Sequence, residues 1–177
     1  MTIDYSKFTN KSRNAIDKAV SLTKQCGYAA VEPQVLMVAI HQEDKERVLF
    51  LLEKIGVDSN AFFSAVSNSL RSIPRAQISE PPFSQELLNV LQKSMELSER
   101  EARSYVALEY IFWAFVETSN GVNAVMRQSG ITLQKMADAV HELRRFKLNP
   151  EVMDLFCWYS DLTFDAEIGG YIEPNRT

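Results

Sequence analysis

From Ser84 to Leu97 the apolar positions recur with the period of an α-helix, and a similar pattern stands earlier, from Thr9 to Leu22. In the later stretch Leu87, Leu91, Ser94 and Ser98 share one face, with Leu88 and Met95 beside them. Ser84 is a good N-cap, Glu86 places a carboxylate in the first turn, and Phe83 can staple onto Leu88. In the earlier stretch Phe8-Thr9 precedes Ala15, Ile16, Ala19, Leu22, Thr23 and Cys26 at the same spacing. One helix has been written twice, and a repeat of this kind governs the reading of the whole fold.

The remaining elements follow the same plan. A helix over about Asn10–Cys26 stops at Gly27, and a second begins at Pro33 and is apolar almost all round, which suits an interior position. A third, with Val48, Leu51, Leu52 and Ile55, ends at Gly56, and a fourth opens at Asp58 with Phe62, Val66 and Leu70 on its apolar side. Pro74, Pro81 and Pro82 exclude helix between residues 72 and 83. The second copy then predicts helices over about Gln85–Arg103, Leu108–Glu117 and Val122–Ser129, and a last one from Thr132 through Val140 and Leu143. Gly56-Val57-Asp58 matches Gly130-Ile131-Thr132, and Val31–Ile40 aligns with Val106–Phe115, at an offset of about 75 residues. Strand-like alternation is missing. The expected fold is all-α: a domain over 1–146 built of two pseudo-symmetric four-helix repeats (8–71 and 84–146) joined by a linker (72–83). Their contact surface should form a cleft between the paired first helices.

Charge changes the picture at one end only. The sequence has 19 Lys and Arg against 23 Asp and Glu, and the whole imbalance of −4 falls in residues 147–177. An uncharged body and an acidic tail argue against a nucleic-acid partner. No apolar run is long enough for a membrane span, and Met1–Tyr5 lacks the features of a signal peptide, so a cytoplasmic protein is expected. Cys26 and Cys157 are expected as reduced thiols, with Cys26 a small core residue. His41 and His141 have no ligand-like or nucleophile-like spacing around them, so neither a metal site nor a catalytic residue is expected. Glu43 with Asp44, and Glu99 with Glu101, read as solvated helix ends.

With Phe8-Thr9-Asn10-Lys11, Val31-Glu32-Pro33, Gly56-Val57, Ser84-Gln85-Glu86-Leu87 and Leu108-Glu109 in order over residues 5–146, the chain resembles the amino-terminal domain of the Clp ATPases, ring-forming AAA+ unfoldases and disaggregases. It is most similar to the ClpB branch. Tyr159-Ser160-Asp161-Leu162-Thr163 and Gly170-Tyr171-Ile172-Glu173-Pro174 resemble the family's passage into its first ATPase module, which makes 147–177 a linker toward that module. No Gly-x-x-x-x-Gly-Lys-Ser/Thr loop is present. The resemblance therefore implies no cofactor in this chain, with ATP and Mg belonging to further modules of a homohexameric parent.

The resemblance also implies a site. Family positions that grip unfolded or aggregated clients, or an adaptor, fall on Thr9, Glu109, Leu91, Leu97 and Tyr110. Thr9 can equally be a plain N-cap, and Leu91 and Leu97 can equally be core. Lys93 stands where an apolar residue is usual and Arg103 where an acid is usual, which favours acidic or neutral segments over basic ones. Gln34 faces Glu109 across the pseudo-symmetry, so a double acidic site is broken. The two departures keep open the type VI secretion relative, whose domain grips a helix of the contractile sheath protein. On this reading Tyr110→Ala and Glu109→Ala should weaken capture without unfolding.

Overall fold

The structure is a computed structural model that describes residues 3–148. Its α-helices are α1 (Asn10–Cys26), α2 (Pro33–Glu43), α3 (Lys45–Ile55), α4 (Ser59–Ser69), α5 (Gln85–Arg100), α6 (Leu108–Glu117), α7 (Asn123–Gln128) and α8 (Leu133–Leu148). The tail readings from Pro150 to Thr177 lie outside the described residues.

Helix starts are set by local hydrogen bonds. The Oγ1 of Thr9 accepts from Ser12 N–H at 3.0 Å and the Oγ of Ser84 from Leu87 N–H at 3.1 Å. Asp58 Oδ1 accepts from Asn60 N–H at 3.0 Å, and Thr132 Oγ1 from Lys135 N–H at 3.1 Å. Each satisfies a donor the helix leaves unpaired.

The ends of α1 and α5 are pseudo-equivalent and chemically different. Gly27 closes α1 with φ 72°, and the matching residue after α5 is Ala102, a non-glycine residue held at φ 58°. That left-handed turn explains why α5 stops at Arg100 and not at Arg103. A Cβ there costs about 1–2 kcal/mol. Ala102→Gly should therefore raise stability by about 1 kcal/mol and Gly27→Ala lower it by a similar amount, read as opposite shifts of the urea midpoint.

The two repeats interlock. Within each, the first helix lies along the second: α1 on α2, and α5 on α6. Across the seam α3 packs on α8, α4 on α7, α1 on α6 and α5 on α2. Two short parallel bridges, Phe8 with Val106 and Phe83 with Val31, are images of each other. Thr9 N–H donates to Val106 C=O at 3.1 Å and Val106 N–H to Lys7 C=O at 2.7 Å, while Ser84 N–H donates to Val31 C=O at 3.1 Å and Val31 N–H to Pro82 C=O at 2.8 Å. The lead into each first helix thus pairs with the residue two positions before the other repeat's second helix. No bridge extends to a longer strand among the described residues.

The core runs through α2 and α6. Every residue from Leu108 to Phe115 is buried, as an element apolar all round requires. One expected core member is outside: Cys26 is exposed, because the chain turns at Gly27 and Tyr28 takes the interior place. α7 is shorter than predicted, and α8 runs on to Leu148, past the expected end of the domain.

Candidate partner-binding surface

The expected groove residues are mostly interior. Thr9 is 0% exposed, Leu91 0%, Leu97 1%, Glu109 1% and Tyr110 1%. In this conformation all five are enclosed by the protein. Leu91, Leu97 and Tyr110 are core because α5 lies along α6, and Thr9 is a buried N-cap whose hydroxyl also donates to Ser12 Oγ at 2.9 Å. Ser12 Oγ in turn donates to Val106 C=O at 2.9 Å, tying α1 to the second repeat. Lys93 and Arg103 are half-exposed, and Lys93 pairs with Glu96 at 3.0 Å.

Glu109 is a buried electrostatic stitch. Arg47 Nη1, from α3 of the first repeat, donates to Glu109 Oε1 at 3.0 Å, and Arg144 Nη1, from α8, donates to Oε2 at 2.9 Å. Burial alone would push the carboxyl up; Arg47 and then Arg144 outweigh it and hold it below its ordinary value. Arg47 is shared with Asp44, whose Oδ2 lies 3.2 Å from Nε and 3.0 Å from Lys11 Nζ. Asp44 is therefore no solvated helix end: burial raises its carboxyl, and Arg47 and Lys11 bring it below the usual range. Tyr110 beside this cluster has its phenol pushed up to about 12 by burial and then by Glu109. Across the pseudo-twofold the cluster is gone. Gln34 stands for Glu109 and Gly121 for Arg47, and a Cβ at Gly121 would lie 2.5 Å from Gln34 Nε2.

The accessible features lie elsewhere. A groove of about 250 Å³ follows α1 at the seam, lined by Tyr5, Arg13, Ile16, Asp17, Val20 and Phe83. Its floor is apolar, and Phe83 comes from the end of the linker, just before the Ser84 cap of α5. A recess of about 260 Å³ sits at the turn from α5 to α6, lined by Ala102, Arg103, Ser104, Tyr105, Ala107 and Arg144. A wider polar hollow of about 580 Å³ lies beside α4, where His41 stacks on Phe63 with ring centroids 3.9 Å apart. Burial and then Lys45 hold the His41 imidazole below its ordinary value. His141 does find a carboxylate, Glu101 at 2.7 Å, which sequence spacing did not reveal. No group of three or more His, Cys, Asp or Glu side chains among the described residues is placed to hold a metal ion. No helix among them is long and apolar enough to cross a membrane.

Comparison with known proteins decides the family. The profile of the Clp repeat (R) N-terminal domain matches residues 7–143. The chain belongs to the Clp N-terminal domain family. The ClpB chaperone of Porphyromonas gingivalis is 31% identical over 143 residues, which make up 81% of this chain and 17% of that protein. The chain thus spans about a sixth of the length of its ClpB relatives. The Hsp104 N-terminal domain from Candida albicans superposes with a TM-score of 0.68 at 22% identity, over 78% of this chain and 91% of that one. A ClpV N-domain solved in complex with a VipB peptide has a TM-score of 0.61 at 20% identity, over 75% and 89% of the two chains. At these identities the structural likeness establishes the Clp N-domain fold.

Proposed function

We propose that this Clp N-domain is the docking domain of a longer, cytoplasmic, ClpB-like disaggregase, and that it captures exposed client segments for delivery to a hexameric ATPase ring. ATP and Mg act in the modules of that ring. The observation that carries the reading is the seam groove along α1, whose Ile16, Val20 and Phe83 floor suits apolar client side chains. The share of ClpB relatives that the chain spans fits a module of a larger machine.

Lys93 and Arg103 are the half-exposed members of the expected site, and neither lines the α1 groove. Thr9, Leu91, Leu97, Glu109 and Tyr110 are interior and support the domain from within. A groove this small binds weakly, as release to a pore requires. An unfolded model protein titrated into the chain should bind no tighter than about micromolar, roughly −8 kcal/mol.

Val20→Lys tests the site. It should weaken capture at least about tenfold while helical circular dichroism stays unchanged. Unaltered binding would move the site away from the groove. A second reading is favoured by the ClpV N-domain seen with a VipB peptide: a groove running along one helix suits an amphipathic helix presenting anchors at i, i+3 and i+4. A sheath-protein helix that binds more tightly than heat-aggregated clients would select it.

A further inference from the structure

The polar hollow beside α4 is walled by a helix face that carries no charge. None of the eleven residues of α4 is ionisable, and the side turned to the hollow presents Asn60, Ser64, Ser67 and Asn68. Ser and Asn are poor helix formers, because their side chains compete for nearby backbone groups. Ser69, which does not line the hollow, does this: its hydroxyl donates to Val66 C=O at 2.6 Å. Among the described residues none of the four side chains in the hollow has a hydrogen-bond partner.

The twin helix shows that the fold does not ask for this composition. With Gly56 opposite Gly130, the matching positions of α8 are Gln134, Asp138, His141 and Glu142. Those side chains are engaged: Gln134 Nε2 donates to Asp138 Oδ1 at 2.8 Å, His141 Nε2 lies 2.7 Å from Glu101 Oε1, and Glu142 accepts from Arg145. One copy uses this face for charged pairs, and the other keeps it neutral. The rest of the hollow comes from Phe63 and the corner between α2 and α3: His41 stacked on Phe63, Leu49, and Lys45. Lys45 is the charged member of the lining at neutral pH, since burial holds His41 uncharged there. No carboxylate lines the hollow, and Asp58 beside it caps α4 by accepting from Asn60 N–H at 3.0 Å.

The spacing of these groups matches an extended polypeptide. Asn60, Ser64 and Asn68 stand four residues apart on α4, about 6 Å of rise per step. An extended chain presents a main-chain N–H and C=O to one side every two residues, about 6.7 Å. Over the three rungs the mismatch is about 1.4 Å, which side-chain torsions absorb. A primary amide both donates and accepts, as a hydroxyl does, so each rung can meet a peptide group whichever way the bound chain runs.

We infer that the α4 hollow is a second polypeptide site, which holds an extended, uncharged segment of a client by its main chain through Asn60, Ser64 and Asn68. Its span takes about four residues of such a segment, and the missing charge on α4 is the complement of a neutral one. The kind of partner rests on the capture reading above, whereas the place and mode of binding are separate from the α1 groove.

The test uses the full chain, labelled with nitrogen-15, and a capped octapeptide of alternating Thr and Ser, which has no charge and no large apolar group for the α1 groove. A second peptide has the same sequence with every central main-chain nitrogen methylated. The first should shift the side-chain amide signals of Asn60 and Asn68, and the methylated one should bind at least about tenfold more weakly. Asn60→Ala with Asn68→Ala, both at exposed positions, should weaken the first peptide by a similar factor with helical circular dichroism unchanged, while Val20→Lys leaves its binding as it was. Binding that survives methylation or the double substitution would overturn the site and leave the capture reading standing. So would a chain that captures unfolded protein while no peptide moves the Asn60 and Asn68 signals. If neither peptide nor unfolded protein binds, both readings fall.

Discussion

Glu109→Ala is expected to destabilise the domain by about 3–5 kcal/mol, because it leaves Arg47 and Arg144 facing each other inside the protein without a carboxylate between them. The cost is that of breaking a buried ion cluster, and it does not measure the cluster's net worth. Urea unfolding followed by circular dichroism reads it directly. A pH series adds an independent signature. The folded-state carboxyl lies below its ordinary value of 4.5, so as pH falls the unfolded chain takes up the proton first. The stabilisation is whole above 4.5 and is lost as pH falls toward the lower folded value. Glu109→Gln should flatten that part of the stability curve. A variant that keeps full stability and loses only client binding would show that Glu109 acts at the surface, against its placement here.

Tyr110→Ala should cost about as much, roughly 3–5 kcal/mol, through the cavity it leaves between α5 and α6. The ring is 1% exposed and stacks on Trp113 with centroids 6.2 Å apart. Tyr110→Phe, which keeps the ring, should cost far less, so the pair separates packing from the hydroxyl. The measurement is the melting temperature, with capture assayed only where the fold survives. Weaker capture at an unchanged melting temperature would place Tyr110 in a binding groove instead.

What the sequence made legible follows the range of the interactions involved. The caps at Thr9, Asp58 and Ser84 and the glycine ends at Gly27, Gly56 and Gly130 depend on groups a few residues apart, so residue type and spacing suffice to find them. The duplication was legible because glycine, staple and cap recur together at one offset. Burial was harder. Periodicity identified the face of α5 that carries Leu91 and Leu97, but not whether α6 or a partner covers it. Arg47 lies 62 positions before Glu109, and a pairing of that range leaves no local mark. Its one trace is a charged residue beside Val48 on the apolar side of α3. Tyr5 and Phe83 escaped as groove walls because Tyr5 sits in a single 3-10 turn and Phe83 just before the cap of α5, where periodicity has nothing to say.

The crossed bridges at Phe8–Val106 and Val31–Phe83 carry a consequence for how the copies relate. A tandem duplication commonly yields two bodies that can drift apart on a tether. Here each half borrows from its twin the backbone partner that launches its leading helix, and α3 and α4 are seated on their sibling's α8 and α7. The doubled module has given up the autonomy of its parts: melting should be one event, and whatever seizes either side pulls on the whole body as a single rigid handle.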